Sequence, residues 1–101
     1  MSGITTHVLD TSRGRPGAGI VVQLFRGEEL LREARTDADG RARMAEAIEP
    51  GVYKIVFNIG TYFDDCFYPE AAVIFVVGDA AQHYHVPLLV SPFGYTTYRG
   101  S

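Results

Sequence analysis

Hydrophobic and polar positions alternate along several short stretches of the chain. In "VYKIVFNI" the large apolar residues Tyr53, Ile55, Phe57 and Ile59 fall on one side, whereas Lys54 falls on the other. A period of two is typical of a β-strand with one buried face. The run "AAVIFVV" is continuously apolar instead, and it predicts a strand that is buried on both faces.

Turn residues separate these runs and define seven predicted strands. The strands are 4–10, 19–26, 30–36, 52–59, 71–77, 83–90 and 95–100. The segment "GTYFDDCF" predicts at most one short helical turn, with Thr61 as its N-cap. Short strands with turn signals about every 8–12 residues predict an all-β sandwich.

Length and composition place the chain among globular proteins. Its 101 residues predict one domain, 1–101, and a net charge of −3 without a cluster of cations argues against a nucleic-acid surface. No apolar run approaches the roughly 20 residues of a membrane span. The single cysteine, Cys66, cannot form an internal disulfide, and the first residues lack the pattern of a signal peptide. We therefore expect a cytoplasmic protein that contacts neither nucleic acid nor membrane.

Two segments could be taken for metal sites. "DADGR" resembles part of a calcium-binding loop, but the downstream glutamate and the flanking helices are missing, so we interpret it as a tight turn at 37–40. His83 and His85 could share a zinc ion, but one further histidine and no second cysteine leave the ligand set incomplete. We expect neither a metal nor another cofactor.

All three histidines fall within predicted strands. Alternation places Thr5 and His7 on one side of the first strand, and it places His83 and His85 on the side of their strand that faces away from the core. Pro87 makes that outer side unusually apolar and also indicates an edge or irregular position. A single strand histidine is usually an ordinary hydrogen-bonded surface residue. The combination instead suggests a covered face, such as a subunit interface that encloses a polar pocket.

Four segments resemble one known family. The segments "THVLDTSRGRPG", "TDADGR", "FYPEAAVIF" and "HYHVPLLVSPFGYTTYRGS" occur in the order found in the 5-hydroxyisourate hydrolases, the transthyretin-related proteins of urate breakdown. The resemblance covers essentially the whole chain. The terminal Tyr-Arg-Gly-Ser is its most specific element, because it marks the hydrolases and is absent from the hormone carrier transthyretin. The chain departs from the family pattern at Gly17, where alanine is expected, and in "NIGTYFDDC", which is shorter than usual.

The resemblance implies a fold, an assembly and a set of site residues. The fold is the transthyretin-like (prealbumin-like) two-sheet β-sandwich of about eight strands, and the assembly is a homotetramer with sites at the dimer–dimer interface. The implied catalytic residues are His7, Arg41, His85 and Tyr98, of which His7, Arg41 and Tyr98 also bind substrate. The implied supporting residues are Arg99, Gly100 and Ser101.

The implied reaction is hydrolysis of 5-hydroxyisourate to 2-oxo-4-hydroxy-4-carboxy-5-ureidoimidazoline. Histidine can accept a proton from water at neutral pH, and the sequence leaves open whether His7 or His85 does so. Arg41 suits ring carbonyls and developing negative charge, and Tyr98 could bind the heterocycle or the attacking water. We expect no covalent intermediate, because no serine is suitably placed and Asp65 beside Cys66 opposes thiolate formation.

Two other interpretations compete with the hydrolase. A transthyretin-like carrier of a small ligand would share the fold, but an apolar ligand favours an apolar channel rather than histidine, arginine and tyrosine. An immunoglobulin-like structural domain would explain the sandwich and leave the ending "YRGS" unexplained.

Overall fold

The computed structural model describes residues 2–101 and consists of two β-sheets packed around one hydrophobic core. The strands are β1 (Gly3–Asp10), β2 (Arg15–Pro16), β3 (Val21–Arg26), β4 (Glu29–Arg35), β5 (Arg41–Ala45), β6 (Gly51–Phe57), β7 (Ala71–Val77), β8 (His83–Ser91) and β9 (Gly94–Thr97). One 3₁₀ turn, Ile59–Thr61, lies between β6 and β7. The predicted all-β sandwich is confirmed. No helix in residues 2–101 has the length and apolar character needed to cross a membrane.

The two sheets differ in how their strands are connected. One sheet is antiparallel, with the order β4-β3-β6-β7. The other has the order β2-β1-β8-β9, and β1 runs parallel to β8. On the side of β1 that faces away from β8, β5 pairs with the first half of β1 and β2 pairs with its last two residues. Strand β1 therefore lies between the strand of Arg41 and the strand of His85.

Alternating residues of β1, β6 and β8 contribute the largest part of the core. Ile4, Val8, Ile55, Phe57 and Leu88 are fully buried between the sheets. The predicted buried face of 53, 55, 57 and 59 is confirmed. Inward-facing residues of β1 and β8 fill the core, so every second residue of these strands faces outward, and those residues include the histidines.

Two of the local predictions are wrong. Strand β7 is not buried on both faces, because it pairs only with β6 and leaves Ile74 and Val76 more than 60% exposed. Thr61 is not an N-cap, because the 3₁₀ turn begins at Ile59, after Asn58, and ends at Thr61. The Thr61 hydroxyl donates to the Asn58 carbonyl at 3.1 Å and so closes the turn from its far end.

The last predicted strand is interrupted rather than continuous. Strand β9 ends at Thr97, opposite Leu88, yet Gly100 pairs with His85 in the same register. The carbonyl of Pro87 accepts from the Thr97 hydroxyl at 2.7 Å, so the missing N–H of Pro87 also faces β9. The proline therefore breaks the ladder locally. Its position is irregular as predicted, but β8 is an interior strand rather than an edge.

Candidate active site

The strand register brings three of the predicted site residues together. His7 pairs with Arg41 across β1 and β5, and Thr5 pairs with His85 across β1 and β8. Residues paired across neighbouring strands project from the same face of a sheet. These four side chains therefore share the outer face, on the side opposite the buried core.

This face borders an open cleft of about 670 Å³. The charged and polar residues on its border include Arg35, Arg41 and Arg43, together with His83 and His85. Against these basic groups the border carries a single carboxylate side chain, that of Asp37. The cleft is therefore basic, and it favours an electron-rich or anionic ligand.

A tight turn fixes the position of Arg41. The Asp37 carboxylate accepts from the Arg41 backbone N–H at 2.9 Å, and the Asp37 carbonyl accepts from the Gly40 N–H at 2.9 Å. Gly40 has a φ of +78°, and a Cβ atom there would collide with the Val8 carbonyl. The hydrogen bond from the Arg41 N–H holds the pKa of Asp37 below its ordinary value, although slight burial acts against it. This carboxylate is thus occupied in ordering the turn.

A backbone carbonyl fixes the tautomer of His7. Its Nε2 lies 2.9 Å from the Asp39 carbonyl oxygen, which can only accept a hydrogen bond. The hydrogen of the neutral ring must therefore sit on Nε2. The other nitrogen, Nδ1, then carries the lone pair that can accept a proton.

A threonine hydroxyl contacts His85. The Nδ1 atom of His85 lies 2.9 Å from Thr5 Oγ1, and the same oxygen lies 2.8 Å from His83 Nε2. Burial lowers the pKa of His85, and the nearby charges of Arg41, His7 and His83 lower it further, while the Thr5 backbone acts in the opposite direction. His85 is therefore neutral at neutral pH and able to accept a proton.

The C-terminal segment packs directly on His85. Gly100 donates its N–H to the His85 carbonyl at 2.8 Å, and a Cβ atom at this glycine would lie only 2.6 Å from His85 Cδ2. Ser101 borders the cleft beside it. The glycine of the Tyr-Arg-Gly-Ser ending is thus required by close approach to the imidazole.

The other two residues of that ending lie elsewhere. Arg99 donates to the Gln82 side chain at 3.0 Å, and its guanidinium lies 4.6 Å from the centroid of the Tyr84 ring. Tyr98 is 56% exposed and borders a separate hollow of about 150 Å³ next to Tyr84. The structure does not bring Tyr98 to the cleft of His85 and Arg41.

Sequence reasoning misses Thr5, Arg35 and Arg43 on the border of the cleft. Alternation places Thr5 on the face of His7 without giving it a role, and the sequence predicts no role for Arg35 or Arg43. Alternation after Arg41 could have found Arg43, because residues two apart in a strand share a face. Among residues 2–101, no three histidine, cysteine, aspartate or glutamate side chains are grouped as metal ligands.

Comparison with known proteins identifies relatives of the whole chain. A profile described as the HIUase/Transthyretin family matches residues 4–100. The 5-hydroxyisourate hydrolase of Caulobacter vibrioides is 48% identical over 115 residues, covering 100% of both chains. The structure of Klebsiella pneumoniae 5-hydroxyisourate hydrolase is similar with a TM-score of 0.92 and 36% identity, again over 100% of both chains. Sea bream transthyretin in complex with thyroxine, at 24% identity and a TM-score of 0.88 over 97% of this chain and 94% of its own, shows the shared fold alone.

Proposed function

The chain belongs to the HIUase/transthyretin family, and from that membership we propose that it hydrolyses 5-hydroxyisourate. A water molecule adds to a carbonyl carbon of the six-membered ring, and the bond from that carbon to the ring nitrogen breaks. One proton of the water ends on the nitrogen and the other is released from the new carboxyl group. The product is 2-oxo-4-hydroxy-4-carboxy-5-ureidoimidazoline.

One observation carries this proposal. His7, Arg41 and His85 project from one sheet face, through direct pairing of β1 with β5 and β8. The two imidazoles can handle the proton of water, and a permanent cation can hold the developing negative charge. A carrier for an apolar ligand would instead favour apolar side chains at these positions.

Both histidines have the features of a general base. His85 is kept neutral by burial and by the neighbouring cations, which lower its pKa. His7 keeps a lone pair on Nδ1, because its Nε2–H is held by the Asp39 carbonyl. General-base assistance contributes typically ~10²–10⁴-fold, so it accounts for only part of the acceleration.

Arg41 supplies the electrostatic part of the mechanism. Its guanidinium stabilises the oxygen that becomes negative when water adds to the carbonyl carbon. Arg43 lies two residues further along the same strand and borders the same cleft, where it draws an electron-rich heterocycle inward. Removing one such oxyanion partner typically costs ~10²–10³-fold in turnover.

The C-terminal residues support the site in different ways. Gly100 and Ser101 form the part of the wall next to His85, and Arg99 anchors the segment on Gln82 and Tyr84. A direct role for Tyr98 stays a prediction from the family resemblance. It requires the phenol to turn toward the cleft or to reach the cleft of a second protomer.

We also propose a homotetramer with sites at the interface between dimers. The cleft is open on the outer face of one sheet, and the exposed Ile74, Val76 and Tyr95 lie on the edge strands β7 and β9. Open edge strands are usually covered by pairing. Sedimentation should give four times the chain mass of 11.1 kDa, whereas a fully active monomer would contradict the assembly. A cytoplasmic location stays a prediction from the single cysteine.

The test is a direct assay. Urate oxidase generates 5-hydroxyisourate from urate, and its ultraviolet absorbance is followed with and without the protein. We expect decay well above the spontaneous rate, lowered ~10²–10³-fold in Arg41→Gln and retained in Arg15→Gln, which changes an exposed arginine away from the cleft. Binding of the substrate without faster decay would favour the carrier, and decay at the background rate from folded protein would refute the hydrolase.

A further inference from the structure

The Thr5 hydroxyl lies between two imidazole rings. Its oxygen is 2.8 Å from His83 Nε2 and 2.9 Å from His85 Nδ1. A hydroxyl group has one hydrogen to donate and can accept from other groups. Within residues 2–101 no other acceptor lies within hydrogen-bond distance of this hydroxyl, so its hydrogen is satisfied only when it donates to one ring and the other ring donates to it.

Two hydrogen-bond arrangements satisfy this constraint. In the first, Thr5 donates to His83, and His85 donates its Nδ1–H to Thr5, which leaves the lone pair of His85 on Nε2. In the second, His83 donates to Thr5, and Thr5 donates to His85 Nδ1, which places the hydrogen of His85 on Nε2. The nitrogen that is protonated in a neutral histidine is set by the bond that the other nitrogen makes.

Protonation of His83 leaves only the second arrangement. A cationic imidazole carries a hydrogen on both nitrogens, so its Nε2 must donate to Thr5. We propose that Thr5 is a positioning residue that couples the protonation state of His83 to the tautomer of His85. With His83 neutral, His85 presents a lone pair at Nε2, and with His83 cationic it presents an N–H there.

Packing keeps the His85 ring in the orientation that this coupling needs. Its Nδ1 faces Thr5 on β1, while its Cδ2 lies against Gly100, so the outer end with Nε2 points away from the sheet. Rotating the ring by half a turn would exchange Nδ1 and Cδ2 and break the bond to Thr5. Within residues 2–101, no hydrogen bond engages His85 Nε2, so this nitrogen is available to a ligand in the cleft.

The charges around His85 keep its ring neutral, and only a neutral imidazole has alternative tautomers. The groups that act on it are Arg41 from β5, His7 from β1 and His83 from its own strand, and Arg43 borders the same cleft. They lower the pKa of His85, so its ring stays neutral at pH values where an ordinary imidazole, with a pKa near ~6.5, is protonated. The backbone of Thr5 acts in the opposite direction and raises the pKa of His85.

The consequence for catalysis rests on the proposed hydrolysis. In the first arrangement His85 Nε2 can accept the proton of the attacking water. In the second it can only donate, and then it can hydrogen-bond a carbonyl or the leaving nitrogen. Whether resting His85 acts as a base or as a hydrogen-bond donor is thus set by His83, two residues away on the same strand, through the hydroxyl group of Thr5.

Nitrogen-15 NMR of the resting protein tests the coupling without any turnover. As His83 becomes protonated, the resonances of Nδ1 and Nε2 in neutral His85 should move in opposite directions, because the hydrogen shifts between them. Direct protonation of His85 makes the two resonances converge instead. We expect the opposed movement in the wild type and in Thr5→Ser, which keeps the hydroxyl, and its loss in the isosteric Thr5→Val.

A second variant tests the coupling even if Thr5→Val does not fold. We call the path from His83 through Thr5 to His85 the relay. His83→Phe removes the far end of this relay and leaves β1 unchanged, so it should also abolish the opposed movement. Opposed movement that persists in folded Thr5→Val or in His83→Phe would overturn the proposal, as would its absence from the wild type.

Kinetics then distinguish this proposal from the proposed function. We expect kcat of Thr5→Val to fall about 10- to 100-fold, within the ~10²–10⁴-fold that general-base catalysis contributes, with KM nearly unchanged and Thr5→Ser near the wild type. An inactive wild type that shows the NMR coupling would refute the hydrolase and leave the relay standing. An active wild type with undiminished kcat in Thr5→Val would refute the relay and leave the hydrolase standing.

Discussion

At the scale of single residues, the absence of a side chain at Gly100 matters as much as the functional groups. A Cβ atom there would lie 2.6 Å from His85 Cδ2, well inside van der Waals contact. The imidazole can yield only by leaving its position beside Thr5, since Gly100 is itself held by its hydrogen bond to the His85 carbonyl. The glycine therefore keeps the ring in place.

Gly100→Ala should consequently lower kcat/KM at least about tenfold, by misplacing a group worth ~10²–10⁴-fold, while the thermal midpoint changes little. Gly78→Ala is the matched control, because a Cβ atom at Gly78 meets nothing within 4 Å. Steady-state kinetics and a thermal melt of both variants check this. Equal activity of the two would show that the close contact is unimportant.

The low pKa of His85 provides a second test at this scale. Burial lowers it first, and the charge of Arg41 is the next cause. Arg41→Gln removes that charge, so the pKa of His85 should rise toward its ordinary value, as measured by NMR titration. Arg15→Gln should leave the titration unchanged. A His85 titration that is identical in wild type and Arg41→Gln would contradict the assigned geometry.

Alternation along β1 and β8 is enough to predict that His7 and His85 face outward. It cannot predict the contact of Thr5 with His83 and His85, because about 80 residues separate these positions in the chain. Their meeting depends on the parallel pairing of β1 with β8, which no local pattern encodes. The place of Tyr98, likewise, depends on the tertiary path of the last residues.

At the scale of elements, a buried carboxylate ends strand β1. Asp10 accepts hydrogen bonds from the Ser12 backbone and hydroxyl, the Arg13 backbone and the Tyr62 phenol, at 2.6–3.1 Å. Burial alone would raise the pKa of Asp10, but these hydrogen bonds outweigh it and lower the pKa. The carboxylate thus orders the turn between β1 and β2 and ties it to the segment after the 3₁₀ turn.

Asp10→Asn should destabilise the fold by about 1.5–3 kcal/mol at pH 7, the usual worth of hydrogen bonds to a charged group. Because the folded pKa is lowered, this stability is present above the unfolded value of 3.8 and is lost as the pH falls through the folded value. Urea denaturation at pH 7 and at pH 3 should therefore show a smaller difference from wild type in acid. The exposed Asp64→Asn is the control, and a difference that grows in acid would contradict this role.

Element boundaries show what local patterns can and cannot predict. β1, β6 and β8 were predictable, because their alternation has one clear apolar side. β5 was missed, since "RARMA" carries two arginines and becomes a strand only by pairing with β1. The apolar run of β7 predicts a strand buried on both faces, yet β7 is an edge strand with Ile74 and Val76 exposed.

At the scale of the whole molecule, the site depends on strands that are distant in sequence. Strand β1 lies at the beginning of the chain, β5 near the middle and β8 near the end, and only the five-stranded sheet brings them side by side. Function therefore requires the complete sandwich. A separate folding unit that contains His7, Arg41 and His85 cannot be cut from this topology.

The central claim is that His7 and His85 act in one site. The most direct measurement is a double-mutant cycle of kcat/KM for 5-hydroxyisourate hydrolysis with His7→Ala, His85→Ala and the double variant. Each single change should lower kcat/KM at least about tenfold, and the double variant should lose little more than the more severe single variant, because groups that act as a unit are not additive. Near wild-type rates in both single variants, or losses that simply multiply in the double variant, would contradict the claim.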